Sequence, residues 1–160
     1  MSIPANLNNE TIGVRGLSRA GLASLDALIA AGARVFAHDD IATPTLDKAV
    51  MACSYEDWPG DEIEMMVISP GIPHLYPEPH PAAQKARAHQ VPLISDIELM
   101  MMASPKAKIV GITGTNGKST IVSLIDHILS FNGIKTVLGG NIGTSAIGLD
   151  DPGAHGVIIL

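Results

Sequence analysis

The chain is short of cysteine, of positive charge and of long apolar runs, and each shortage excludes a class of protein. One cysteine among 160 residues, Cys53, forbids an intramolecular disulfide. Without a second thiol or a suitably spaced histidine it carries no zinc signature, and it reads as a small core residue. Ten basic residues face sixteen acidic ones, giving a formal charge of -6 with no basic block. The extended electrostatic footprint that nucleic acid requires is therefore missing, and any anion is bound locally. No apolar run reaches the roughly eighteen residues needed to cross a bilayer, and the opening MSIPANLNNE has neither a basic n-region nor an apolar h-region. The expectation is a soluble, cytoplasmic monomer without nucleic-acid or membrane partners. Apolar residues, at 46%, are ample for a packed core.

Short apolar runs alternate with helix-period segments: TIGVR (11–15), ARVFAH (33–38), EMMVIS (64–69), VPLIS (91–95), KIVGIT (108–113), KTVL (135–138) and GVIIL (156–160). Such spacing predicts an α/β protein of parallel strands and crossover helices. Between the first two strands Leu22, Leu25, Leu28 and Ile29 share a helical face, and Gly32 ends that helix. A second helix is expected over 118–132, with Ile121, Val122, Leu124, Ile125, Ile128 and Leu129 at core spacing and Gly133 after it. In DIELMMMASPKAK the acidic start suits a helix N-terminus, Met100 to Met102 read as packing, and Ser104-Pro105 stops the helix. That stop places a domain junction within 103–107 and divides the chain into 1–104 and 105–160.

The segment GITGTNGKST (111–120) joins a strand to a helix. Gly111, Gly114 and Gly117 let the backbone curl so that N–H groups converge on phosphate oxygens. Lys118 would neutralise the β and γ phosphates, the helix N-terminus would add its free N–H groups and dipole, and the Ser119 hydroxyl is placed for magnesium. Thr120 offers a further hydroxyl. Gly111 lies six residues before Gly117, so the spacing is a variant of G-x-x-x-x-G-K-[ST].

Earlier in the chain, GLSRAG (16–21) follows the first strand, and Asp39 lies twenty-three residues after Gly16 at the end of the second. That is nearly the dinucleotide fingerprint, but Ser18 stands at the middle glycine, where a Cβ obstructs a pyrophosphate and weakens a standard NAD site. The strand EMMVIS delivers Ser69-Pro70-Gly71 to the carboxyl end of the sheet. Pro70 and Gly71 suit a type II turn that would expose the Ser69 hydroxyl. His74 and His80 in HLYPEPHP, His89 on a helix face and His127 on the outer face of the later helix suggest no shared site. Asp61, Glu62 and Glu64 read as a solvated edge.

GxTGTNGK[ST] resembles the ATP loop of the Mur ligases and the related folylpolyglutamate synthetases. The resemblance implies ATP and Mg2+ as cofactors, contacts from Gly114, Thr115, Asn116, Gly117, Lys118, Ser119 and Thr120, magnesium at Ser119 and a catalytic Lys118. Chemically it implies that a carboxylate becomes an acyl phosphate and is then attacked by an amine. In that family a Rossmann-like N-terminal domain (here 1–104) holds a UDP-muramoyl substrate and precedes a P-loop ATPase domain, of which 105–160 is the first part. By the same resemblance Gly16, Ser18, Arg19, Ala20, Asp39 and Asp40 would meet the UDP part. Ser69, Pro70 and Gly71 would line the muramoyl path, and Asn141 would reach the substrate from the ATPase side.

SPGI, DIEL and GGNIG (139–143), occurring in that order, resemble one branch of that family, and the resemblance implies UDP-N-acetylmuramoyl-L-alanine and D-glutamate as substrates. A sister ligase and a non-catalytic nucleotide-binding module are the alternatives. GVIIL is an apolar strand with no turn after it, which leads to the expectation of a truncated ligase, inactive alone and without its C-terminal domain.

Overall fold

The computed structural model describes residues 6–103, 105–140 and 143–160, which excludes Ser104 and Asn141. Eight strands and four helices alternate: β1 Thr11–Arg15, α1 Arg19–Ala30, β2 Arg34–His38, β3 Val50–Ala52, β4 Met65–Ile68, α2 Pro81–Ala88, β5 Leu93–Ile94, α3 Asp96–Met102, β6 Lys108–Val110, α4 Lys118–Phe131, β7 Thr136–Leu138 and β8 Val157–Ile159. Five strands form one sheet in the order β3-β2-β1-β4-β5, and three form a second in the order β6-β8-β7. Every pairing is parallel. The first sheet therefore has the Rossmann-like arrangement, with its order reversing between β1 and β4, where open α/β sheets bind ligands.

Register decides what stands at that switch point. Arg15 pairs with His38 on one side and Ile68 on the other, so the next residues of the three strands, Gly16, Asp39 and Ser69, emerge side by side at the carboxyl edge. In the second sheet Val110 and Leu138 both pair with Ile159, which brings Gly111, Gly139 and Leu160 to the equivalent edge.

As expected of a parallel sheet, the first is covered on both faces. Ile12, Val14 and Val67 pack with Leu25 and Leu28 of α1 and with Leu99 and Met100 of α3. On the other face Trp58, Ile63, Met66, Ala86 and Val91 form a second cluster. Gly13 makes room for Trp58, whose ring would lie 2.4 Å from a Cβ at that position. Cys53, half-buried beside this cluster, gives its carbonyl to the Trp58 indole N–H at 3.2 Å. The first core also takes in Ala146, Ile147, Leu149 and Ile158, so one apolar interior joins the two sheets.

Helix ends follow from local chemistry. After α1 the Gly32 N–H donates to the Ile29 carbonyl and the Ala33 N–H to the Leu28 carbonyl, with Gly32 at φ +80°. After α4 Gly133 and Ile134 repeat the pattern with Ser130 and Leu129. Both are Schellman caps, in which glycine takes the left-handed position without strain. At α3 Ser95 and Glu98 form a reciprocal capping box.

Two expectations change. Of the six apolar positions assigned to the core of α4 only Val122 is buried, with Ile125 and Leu129 half-buried. Ile121, Leu124 and Ile128 are 46%, 55% and 50% exposed, because the three-stranded sheet meets one face of the helix only. In the Met100–Met102 run Met100 is fully buried, whereas Met101 and Met102 are exposed. The short β3 carries too little apolar periodicity to stand out in the sequence, and the helix expected to carry His89 is α2, which His89 ends as its C-cap.

The tightest backbone approach is at Gly21, where a Cβ would lie 1.9 Å from the Gly16 carbonyl oxygen. The obstacle is main chain and cannot rotate away. Gly21→Ala is expected to lower stability by about 3 kcal/mol, read as a fall in the urea midpoint; an unchanged midpoint contradicts this account of the turn.

Candidate functional site

A cavity of about 1210 Å³ opens between the carboxyl edges of the two sheets. Ser18, Arg19 and Ala20 at the start of α1 and Ser69, Pro70 and Gly71 after β4 line one wall; Gly111, Lys118 and Ser119 line the other. Glu98 and Asp96 stand on the first wall, Gly139 and Gly140 on the second. Residues assigned from sequence to a sugar-nucleotide and to a triphosphate thus border one space.

The first wall is built around the Gly16 carbonyl. Ser69 Oγ donates to it at 3.1 Å, and Ser18 Oγ lies 3.4 Å from Ser69 Oγ. Since the one Ser69 hydroxyl proton goes to Gly16, Ser18 is the donor of the pair. The expected type II turn is not formed. The Ile72 N–H does donate to the Ser69 carbonyl, but Gly71 lacks the positive φ that type II demands, and Ser69 is buried rather than exposed. The Gly16 carbonyl accounts for this by drawing the hydroxyl inward.

Behind this wall Asp39 ties two loops together. Its Oδ2 accepts the Leu17 N–H at 2.6 Å and its Oδ1 accepts those of Ile41 and Ala42 at 2.8 Å. Burial alone would raise the Asp39 pKa, but those three N–H donors and the nearby Arg15 charge hold it below the usual carboxylate value. Asp40 is likewise lowered: burial opposes, while the guanidinium of Arg15 and then His80 prevail. Gly16, Asp39 and Asp40 are not part of the cavity lining; they stand just past the carboxyl ends of β1 and β2, next to the Ser69 wall, and make up the Gly16 mouth.

The histidine of this mouth was not legible as a site residue. His80 Nε2 lies 3.1 Å from Asp40 Oδ2, and its Nδ1 accepts the Ala82 N–H to cap α2. Proline at the first position of that helix was the available signal. Of the other histidines singled out from sequence, His74 lines the cavity, whereas His89 pairs with exposed Asp61 at 2.8 Å and His127 stacks on Phe131.

On the second wall Gly114 and Gly117 adopt φ +151° and +80°. Gly117 caps α4 without any side-chain hydrogen bond, and no acidic residue occupies the first turn. The helix therefore presents uncapped N–H groups at its positive end, the arrangement that fits a phosphate. Lys118 Nζ bends back onto the carbonyls of Gly114 and Thr115, closing the loop over the place an anion would take. Thr115, Asn116 and Thr120 are exposed and outside the cavity lining. Asn141 lies outside the described residues. Among the described residues no cluster of three His, Cys, Asp or Glu could hold a metal.

No family model matches the chain. It is 40% identical, over its whole length, to the UDP-N-acetylmuramoylalanine–D-glutamate ligase of Paramagnetospirillum magneticum, of which it spans 35%. The protein of that name from Rhodospirillum rubrum is 40% identical over 94% of the chain, which covers 33% of it. That from Wolbachia sp. subsp. Brugia malayi is 41% identical over 89% of the chain, which covers 30% of it. The chain spans about a third of the length of the curated relatives it matches.

The Asp39 bonds predict a pH signature. A carboxylate with a lowered folded pKa stabilises above its unfolded value, and that stability is lost as pH falls through the folded value. Asp39→Asn turns an NH2 donor toward one of the backbone N–H groups, and is expected to cost about 1–3 kcal/mol near neutral pH. Urea titrations should show the gap to wild type closing below pH 4 or so; a gap independent of pH contradicts it.

Proposed function

We propose that the chain belongs to the Mur ligase family, as a match to the N-terminal portion of its D-glutamate-adding branch, and that it serves ATP-dependent amide-bond formation between UDP-N-acetylmuramoyl-L-alanine and D-glutamate, a step of peptidoglycan synthesis in the cytoplasm. The observation that carries this reading is the single cavity bordered both by Ser18, Arg19, Ala20, Ser69, Pro70 and Gly71 and by Lys118 and Ser119. A long substrate with its nucleotide at the Gly16–Asp39–Asp40 mouth can run past the Ser69 turn and offer its terminal carboxylate to the Lys118 loop. In this division 1–104 forms the UDP-substrate unit and 105–160 opens the ATP-binding unit.

The chemistry is the one that the resemblance to the Mur ligases implies. A carboxylate oxygen attacks the γ phosphorus of ATP, the bridging bond to the β phosphate breaks, and ADP leaves. The amine of D-glutamate then attacks the acyl carbon, loses a proton, and releases inorganic phosphate as the amide forms. Lys118, released from the Gly114 and Thr115 carbonyls, would follow the charge moving through the γ phosphoryl group. The uncapped N–H groups of α4 would hold the phosphates, and Gly114 to Thr120 would form their cradle. Magnesium, held by Ser119 together with phosphate oxygens, water and other parts of the protein, would neutralise the remaining charge. No covalent enzyme intermediate is needed, and a monomer suffices.

D-glutamate recognition is assigned to the part of the relatives' length that this chain does not span. The 160-residue chain alone is therefore expected to release no phosphate in response to D-glutamate. In the full-length protein, Lys118→Ala is expected to slow D-glutamate-dependent phosphate release by about 10²–10³-fold. UDP-N-acetylmuramoyl-L-alanine should raise the melting temperature whereas NAD should not, since a ligand of the folded state stabilises by mass action. Full activity in the Lys118 variant, or stabilisation by NAD alone, overturns the reading.

A further inference from the structure

The largest fully buried side chain among the described residues is a charged one. Arg15, the last residue of β1, is 1% exposed. Its Nη1 donates to the His38 carbonyl at 3.1 Å, its Nη2 is ion-paired with Asp40 Oδ2, and its Cζ stands 5.5 Å from the centre of the Tyr55 ring. The Nε has no partner. Burying a guanidinium with one orphaned donor is a poor route to stability, because desolvation offsets the attraction to Asp40. The arrangement calls for another reason.

His80 supplies the second half of it. Because Nδ1 accepts the Ala82 N–H, the proton of the neutral ring sits on Nε2, where it faces Asp40 Oδ2. Arg15 Nη2 lies 3.2 Å from that nitrogen, so two donors from different elements converge on one carboxylate oxygen. Tyr55 closes the group, 5.6 Å from the His38 ring and 5.8 Å from the His80 ring. Asp40 Oδ1 makes no hydrogen bond among the described residues, although the side chain is 53% exposed. Asp40 follows Asp39, which is bound to the Gly16 turn through the Leu17 N–H.

We propose that Arg15 is a positioning residue of the nucleotide mouth: together with His80 it fixes the Asp40 carboxylate beside the Gly16 turn, leaving one oxygen to accept a hydroxyl or N–H group from the nucleoside part of the substrate. An ionised carboxylate accepts only, so a held Asp40 selects for a ligand donor at that place. The inference rests on the nucleotide reading of the Gly16 mouth and adds a residue on which that reading had placed no role.

The test uses the full-length protein, UDP as the probe and titration calorimetry, with ATP affinity as the control. Asp40→Asn and Arg15→Met are each expected to raise the UDP Kd by about tenfold, equivalent to roughly 1.4 kcal/mol, and to leave the ATP Kd within twofold. The double variant should bind UDP no more weakly than Asp40→Asn alone, since Arg15 acts through Asp40. Arg15→Lys should recover part of the affinity and stands in where the methionine variant does not fold. Wild-type protein that fails to bind UDP overturns the reading of the mouth and this proposal with it. Wild type that binds UDP, with Asp40→Asn and Arg15→Lys both unchanged, overturns the positioning role alone, as do single-variant losses that multiply in the double variant.

Discussion

The arrangement depends on how closely the chain approaches itself at the Gly16 carbonyl. That oxygen sits where a Cβ on Gly21 would have to be, and it accepts the Ser69 hydroxyl. A Cβ on Gly16 itself would fall 2.7 Å from Ser69 Oγ. Two glycines and one serine therefore bring the start of α1 down onto the carboxyl ends of β1 and β4. Without that approach Ser18 to Ala20 and Ser69 to Gly71 would not share a wall.

The opposite wall is set by apolar burial. Ala146 and Ile147, in a single 3-10 turn, are fully buried against α1 and α3, and the Ala146 N–H donates to buried Asp96 at 3.1 Å. This plug makes one core of two sheets and holds the Lys118 loop across from Ser69. The loop side is solvent-exposed backbone, with glycines in open space and positive φ. On the mouth side buried Arg15 is ion-paired with the half-exposed Asp40. On the proposed reading, Lys118 exchanges the Gly114 and Thr115 carbonyls for phosphate oxygens while the nucleotide end of the substrate stays in place.

Strand positions were legible because a parallel sheet covered on both faces reads as plain apolar runs: TIGVR is β1 residue for residue, and the other six runs contain their strands. Caps were legible at Gly32 and Gly133, where only a left-handed residue ends the helix. The Ser69 turn was misjudged, since a Pro-Gly pair carries no information about a carbonyl fifty-three residues away that captures the serine hydroxyl. The α4 face was overcalled because helical period reports which positions are apolar and not what covers them. Asp39, which the resemblance assigns to the UDP part, also holds three backbone N–H groups and so organises the loops at the ends of β1 and β2, which no sequence pattern announced. The Arg15–Asp40–His80 group was invisible for a related reason. Its members lie 25 and 40 residues apart, at β1, after β2 and before α2, and only the strand register assembles them.

The central claim is that one substrate spans from the Gly16 mouth to the Lys118 loop. A structure of the full-length protein with UDP-N-acetylmuramoyl-L-alanine and a non-hydrolysable ATP analogue tests it most directly. Uridine beside Asp39 and Asp40, with the alanyl carboxylate about 3–3.5 Å from the γ phosphorus on Lys118, is the predicted result. A sugar-nucleotide bound elsewhere, or a triphosphate away from Gly114 to Ser119, would contradict it.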